Sequence, residues 1–190
     1  MTKDDIITLP NYHLRQKSRR VGLISDEIRQ IITDMQDATI DWDRSREHEV
    51  GVALAAVQID RLYKIIIVRN NHDDKNDTSF TVFINPEITK LEGEIKSDFE
   101  GCLSVPDIYG KVDRHSKVKV KALDLNGKVF RVTADGFLAR VLQHEIDHIN
   151  GLVFIDHIKD QPEAFFHLES DGKLKALDYQ KDVEKNPILW

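Results

Sequence analysis

His144, Glu145 and His148 are spaced as HExxH, and on a helix of about 3.6 residues per turn the two imidazoles stand one above the other on a single face. Two imidazoles so placed can share one metal ion. Glu145 is displaced by one position; it is poorly sited as a ligand but well sited to take a proton from a water at that ion, the role of a general base in metal-assisted hydrolysis. The plainer reading, in which the histidines are satisfied core or surface residues and the Glu is solvated, stays open at this point. A tetrahedral site needs a third protein ligand and keeps its fourth position for water. The longer pattern HExxHxxGxxH fits as far as Gly151 and fails at Phe154, so the third ligand has to come from elsewhere in the chain.

The chemistry requires that this stretch be helical. Phe137, Leu138, Val141, Leu142, Ile146 and Ile149 recur at helical spacing, Thr133 or Asp135 can cap the start, and Asn150-Gly151 supplies a left-handed stop. Phe137 and Val141 share the histidine face, which sets an apolar wall beside the metal and suggests a substrate with an apolar side chain.

Other elements are legible with varying sharpness. Ile28, Ile31, Ile32 and Met35 predict an amphipathic helix opened by Ser25, with Asp26 and Glu27 complementing its first turn. The charged stretch over residues 36–49 reads as a surface loop or a frayed extension, with His48 solvated. Residues 51–58 are small and apolar and end in Gln58, which by itself reads as a buried structural amide needing a partner. Residues 61–69 read as a buried strand, 71–79 as its loop, 80–84 as a return strand and Asn85-Pro86 as a turn. Residues 88–96 are compatible with another strand, and Gly101 with Pro106 presents Cys102 at an irregular bend. The alternation of residues 117–123, the turn at Asn126-Gly127 and residues 129–132 form a hairpin leading into the HExxH helix. Residues 152–156 look like a short strand, and residues 157–190 carry no clear pattern.

The composition sets bounds on the whole. The 190 residues, 41% hydrophobic and 32% charged, suit one soluble domain with an ample core. Residues 65–68 form the centre of the longest apolar run, too short to span a bilayer, and residues 1–5 resemble neither a signal nor a transit peptide, so a cytoplasmic protein is expected. A net charge of −6 argues against a broad nucleic-acid-binding surface, though not against a local basic patch. Cys102 is the sole cysteine, which excludes an internal disulfide and leaves a thiol that is either inert or chemically engaged.

Three fragments therefore carry unassigned chemistry: the run ending in Gln58, the bend with Cys102 and the HExxH helix. Together they resemble the peptide deformylase family, whose motifs GxGxAAxQ, EGCLS and QHExDH are matched by residues 51–58, 100–104 and 143–148 in that order. The resemblance covers about residues 6–157. It implies an α+β single domain spanning residues 1–190, with a central HExxH helix packed among small antiparallel or mixed β-sheets and a divergent tail over residues 158–190. It also implies a hydrolase that removes the formyl group from N-terminal formyl-methionine of nascent polypeptides and releases formate. Cys102, His144 and His148 would be the metal ligands, of Fe2+ first, with Zn2+, Ni2+ or Co2+ as other occupants. Glu145 would be the base and then the acid, and Gln58 and the backbone N–H of Leu103 the oxyanion donors. Val52, Ala53, Phe137 and Val141 would hold the methionine side chain.

Departures from the family pattern are Ala53 and Asp60 at positions where Gly is usual and Val57 in place of Pro. At Ala53 a methyl could crowd the substrate or forbid a backbone angle that Gly alone tolerates. Some bacterial members meet the ribosome through a basic C-terminal helix; the acidic tail here offers little for ribosomal RNA, so the expectation is transient ribosome proximity only, with no stable nucleic-acid or membrane partner. Two other readings remain: a zinc peptidase using the same helix with a different third ligand, and a deformylase-like binding protein that has lost catalysis.

Overall fold

In a computed structural model, which describes residues 1–74 and 76–190, the strands form one antiparallel sheet against which the helices pack, an α+β architecture. Lys75, inside the loop expected over residues 71–79, lies outside the described residues. The strands are β1 (Ala53–Ala55), β2 (Ile65–Arg69), β3 (Phe80–Cys102), β4 (Val105–Leu123), β5 (Val129–Asp135), β6 (Phe165–Leu168) and β7 (Leu174–Ala176). Their order in the sheet is β1-β2-β3-β4-β6-β7, with β5 pairing β4.

Helix α1 (Asp26–Arg44) is capped by Ser25, whose hydroxyl accepts from Ile28 N. Its buried stripe of Ile28, Ile31, Ile32 and Met35 continues through Ala38, Thr39 and Trp42. The stretch expected as loop or frayed helix is therefore ordered helix as far as Arg44, because those three residues prolong the apolar face among the intervening charges. Beyond it, His48 is exposed as expected.

The strand expected over residues 61–69 is shorter, starting at Ile65, because residues 61–64 turn to meet Arg19 in a parallel bridge at Tyr63. A larger correction concerns Asn85-Pro86, which is no turn: β3 runs straight through it with a register shift between Ile84 and Glu87. Asn85 takes φ +52, and its side-chain amide accepts from Val21 N and donates to Val21 O, both at 2.8 Å. A bulge is where a strand tolerates a proline that cannot donate, which a sequence reading mistakes for a chain reversal. The separate strands expected over 80–84 and 88–96 are thus one strand.

Residues 152–156 are also corrected. Val153 is an N-cap and α3 (Phe154–Ile158) is helical, with Asp156 accepting from Val153 N at 2.7 Å. A short apolar run has no period that separates strand from helix, and here the local cap decides. The tail acquires structure from distant partners: Phe165, Val183 and Leu189 are buried with Leu14, Val153, Phe154 and Ile158.

The HExxH segment is α2 (Gly136–His148). Asp135 is its N-cap residue but makes no side-chain cap bond, and Thr133 lies within β5. Ala139, Leu142, Ile146 and Ile149 bury one face against Ala55, Ile66, Val68, Phe83 and Val118 of the sheet. The helix stops as expected: Gly151 sits at φ +81, and a Cβ there would lie 2.6 Å from the Arg15 carbonyl oxygen. Among the described residues, no helix is long and apolar enough to cross a membrane.

Candidate metal centre

Packing α2 on the sheet turns the face bearing His144 and His148 towards the end of β3, where Cys102 is the last strand residue before the two-residue turn at Leu103 and Ser104. The register slips there, since Gly101 pairs with Tyr109 but Cys102 with Val105, and the strand end bends as the Gly-Cys-Pro pattern suggests. Gly101 leaves room for the Tyr109 ring, from which a Cβ would lie 2.7 Å, so a larger residue would have to displace that ring.

The sulfur and the two imidazoles converge. Cys102 Sγ is 3.2 Å from His148 Nε2, His148 Nε2 is 3.2 Å from His144 Nε2, and the three ligand atoms lie within 4.8 Å of one another. Two imidazole nitrogens and a thiolate suit a borderline-soft divalent cation such as Fe2+ or Zn2+. His144 is oriented for ligation through Nε2 because its Nδ1 contacts Glu100 Oε2 at 3.0 Å.

Glu100 in turn is gripped by two guanidinium groups. Arg114 donates to both of its oxygens at 2.9 and 3.0 Å, and Arg140 donates to Oε1 at 2.8 Å. Arg114 continues to Asp147 at 2.6 Å, and Asp147 meets His157 at 2.7 Å. Burial alone would raise the Glu100 carboxyl, but His144 and Arg114 hold it far below the usual carboxylate range. Burial likewise opposes ionisation of Cys102, and the histidines outweigh it, bringing the thiol down to about 5. His144 is pushed well above its ordinary value: burial disfavours the imidazolium, and Cys102 and Glu100 more than compensate.

Glu145 differs. It is 5% exposed, its Oε2 has no hydrogen-bond partner among the described residues, and burial raises its carboxyl to about 7 despite the nearby histidines. A buried carboxylate oxygen with nothing to bond is costly in a resting fold and is what a base awaiting a proton donor looks like.

Gln58 is a buried amide with partners at both ends. Its Oε1 accepts from Ala55 N at 2.9 Å, which fixes the orientation, and its Nε2 points to Ser104 Oγ at 3.1 Å and Cys102 Sγ at 3.5 Å. A cavity of about 220 Å³ opens beside these groups, lined by Val52, Ala53, Phe137 and Val141, and by Gln58, Leu103, His144 and Glu145. Phe137 is about half exposed at its mouth, whereas Val141 is buried.

Sequence reasoning missed Trp42, Glu49, Phe99 and Tyr109, which also line the cavity, and the Arg114–Arg140 clamp on Glu100. Glu100 lay inside a recognised motif, so a role for it was open to inference. The arginines carried no local signal.

Of the departures, Ala53 lies in a strand paired with Val68 and outside the positive-φ residues, so no glycine-only angle is demanded; its methyl does face the cavity. Asp60 takes φ +60, the left-handed conformation that makes Gly usual there, and pairs through its carboxylate with His13. Val57 is fully buried in the short 3-10 turn Ala56–Ile59.

Residues 3–164 match the family model described as polypeptide deformylase. The chain is 44% identical over 159 residues to the peptide deformylase of Thermomicrobium roseum, covering 82% of this chain and 86% of that one. It is 41% identical over 153 residues to that of Acinetobacter baumannii, covering 80% and 81%. A crystal structure of a peptide deformylase from Synechococcus elongatus in complex with actinonin superposes with a TM-score of 0.73 at 36% identity, covering 82% of this chain and 80% of that one.

Proposed function

The chain belongs to the polypeptide deformylase family, and from that premise we propose that it hydrolyses the formyl group from N-terminal formyl-methionine of nascent polypeptides, releasing formate. The observation that carries this reading is the meeting of Cys102, His144 and His148 beside Glu145, whose buried Oε2 has no hydrogen-bond partner among the described residues. The donor set fits one divalent cation, and we take Fe2+ as the cellular occupant, with Zn2+, Ni2+ and Co2+ as substitutes. When bound, such a cation supplies Lewis acidity towards water and the formyl carbonyl.

The protein's own groups do the rest. Glu145 accepts a proton from the attacking water, whose oxygen joins the formyl carbon; the C–N bond then breaks, and Glu145 returns the proton to the leaving amine. Gln58 Nε2, held by the Ala55 contact, and the Leu103 backbone N–H at the β3–β4 turn donate to the developing oxyanion. Val52, Ala53, Phe137 and Val141 surround the methionine side chain. Residues 1–190 act as one catalytic domain in the cytoplasm and meet nascent chains through transient proximity to the ribosome.

The test is formate release from formyl-Met-Ala-Ser by protein loaded anaerobically with iron. Release, abolished by Glu145→Ala with metal retained, is the expected outcome; no formate from a metal-replete sample overturns the reading. Cys102→Ala should lose the metal, and a full complement of metal in that variant would point to a zinc peptidase with a different third ligand.

A further inference from the structure

The cavity does not end at its own rim. Residues alternate between the faces of a strand, so the pairs Phe99–Lys111, Gly101–Tyr109 and Tyr109–Phe166 place Phe99, Tyr109, Lys111 and Phe166 on one face across β3, β4 and β6. Phe99 lines the cavity and is 37% exposed. Its ring meets that of Phe166 edge-on, with centroids 4.9 Å apart. Lys111 Nζ lies 5.2 Å from the Phe99 centroid and 5.7 Å from the Phe166 centroid. Lys111 is exposed and, among the described residues, has no carboxylate in ion-pairing range, so its charge is held by two ring faces and left unneutralised. Phe166 comes from the tail, beyond the residues that match the family model.

We propose that Phe99, Phe166 and Lys111 form a shelf that receives the substrate residues following the methionine, taking apolar or acidic side chains and disfavouring basic ones. The inference rests on the deformylase reading, because a chain whose first side chain fills the cavity must leave it across the rim. The rings offer apolar area to the departing peptide, and the ammonium adds a positive potential that water and salt screen only in part. The tail hairpin thereby becomes part of substrate recognition through Phe166.

The experiment compares kcat/KM on formyl-Met-Ala-Leu, formyl-Met-Ala-Glu and formyl-Met-Ala-Lys, together with formyl-Met-Xaa-Ala peptides carrying the same three side chains, using the full-length iron-loaded protein. At low ionic strength the Glu peptide should exceed the Lys peptide by about fivefold at one of the two positions, the range of an exposed charge pair, mainly through KM. High salt should shrink that ratio. Lys111→Glu, a surface change, should invert it, and Phe166→Ala should lower the advantage of the Leu peptide over the Lys peptide. Equal use of Glu and Lys peptides by the wild type, or a ratio that Lys111→Glu leaves unmoved, overturns the shelf while leaving deformylation intact. No formate from any peptide overturns the deformylase reading and the shelf with it.

Discussion

Replacing Glu100 by Gln keeps the shape of the residue at the centre of the His144–Arg114–Arg140 cluster and removes its charge. The side chains of Glu100, Arg114 and Arg140 are 3%, 6% and 8% exposed, so the loss is felt by groups that water barely screens. Breaking a buried ion pair from one side costs about 3–5 kcal/mol. The lower end applies here, because Arg114 retains Asp147 and Arg140 retains the carbonyls of Val112 and Lys96. We therefore expect the metal-free variant to be less stable than the wild type by about 3 kcal/mol at pH 7 in urea unfolding followed by circular dichroism. His144 loses the carboxylate that aims its ring, so metal affinity measured by chelator competition should fall by about 10- to 100-fold. The pH dependence is an internal check. The folded-state pKa of Glu100 lies below its unfolded value of 4.5, so its contribution is complete above that value and is lost as the pH falls through the folded pKa. The gap between wild type and variant should be constant down to about pH 5 and narrow below it. A deficit under about 1 kcal/mol at pH 7, or a gap that widens in acid, would refute the assignment of Glu100 as the charged anchor of the site.

Glu145→Gln should cut turnover by about 10²- to 10⁴-fold with metal content unchanged; its folded pKa is raised from 4.5 to about 7, so the wild type loses stability as the pH rises from the lower value to the upper and the variant does not, and the metal-free variant should unfold later than wild type at pH 8 but not at pH 4. Coincident melting at pH 8 would contradict this. Gln58→Leu should lower kcat by about 10²- to 10³-fold, as loss of one oxyanion donor does, with metal content unchanged as the control; because Ala55 N and Ser104 Oγ lose a buried partner, thermal unfolding should also show a loss of about 1–3 kcal/mol. Gly151→Ala should destabilise by more than about 1 kcal/mol in thermal unfolding, since it meets both the left-handed φ and the Arg15 carbonyl; a neutral result would mean that the α2 stop is not rigid.

Local pattern was sufficient for the elements whose reasons are local. The HExxH helix, its glycine stop and the placing of His144 one turn from His148 follow from one period and one left-handed residue, and the Ser25 cap and Asn126-Gly127 hairpin are of the same kind. Where a residue's meaning depends on something distant, pattern misled or fell silent. Asn85-Pro86 is a bulge because Val21 lies alongside, and the tail over residues 158–190 takes its structure where Phe165, Val183 and Leu189 join a core with Leu14, Val153 and Phe154. The site divides in the same way. Residue types and spacing supplied the base and two imidazoles, and resemblance suggested Cys102 as the third ligand. Bringing its sulfur to 3.2 Å from His148 took a bulged strand end, a helix packed across the sheet and a carboxylate clamped by two arginines. Sequence alone can state which groups are chemically able to cooperate; whether they meet depends on long-range packing, because a few ångströms decide coordination and no local period encodes that distance.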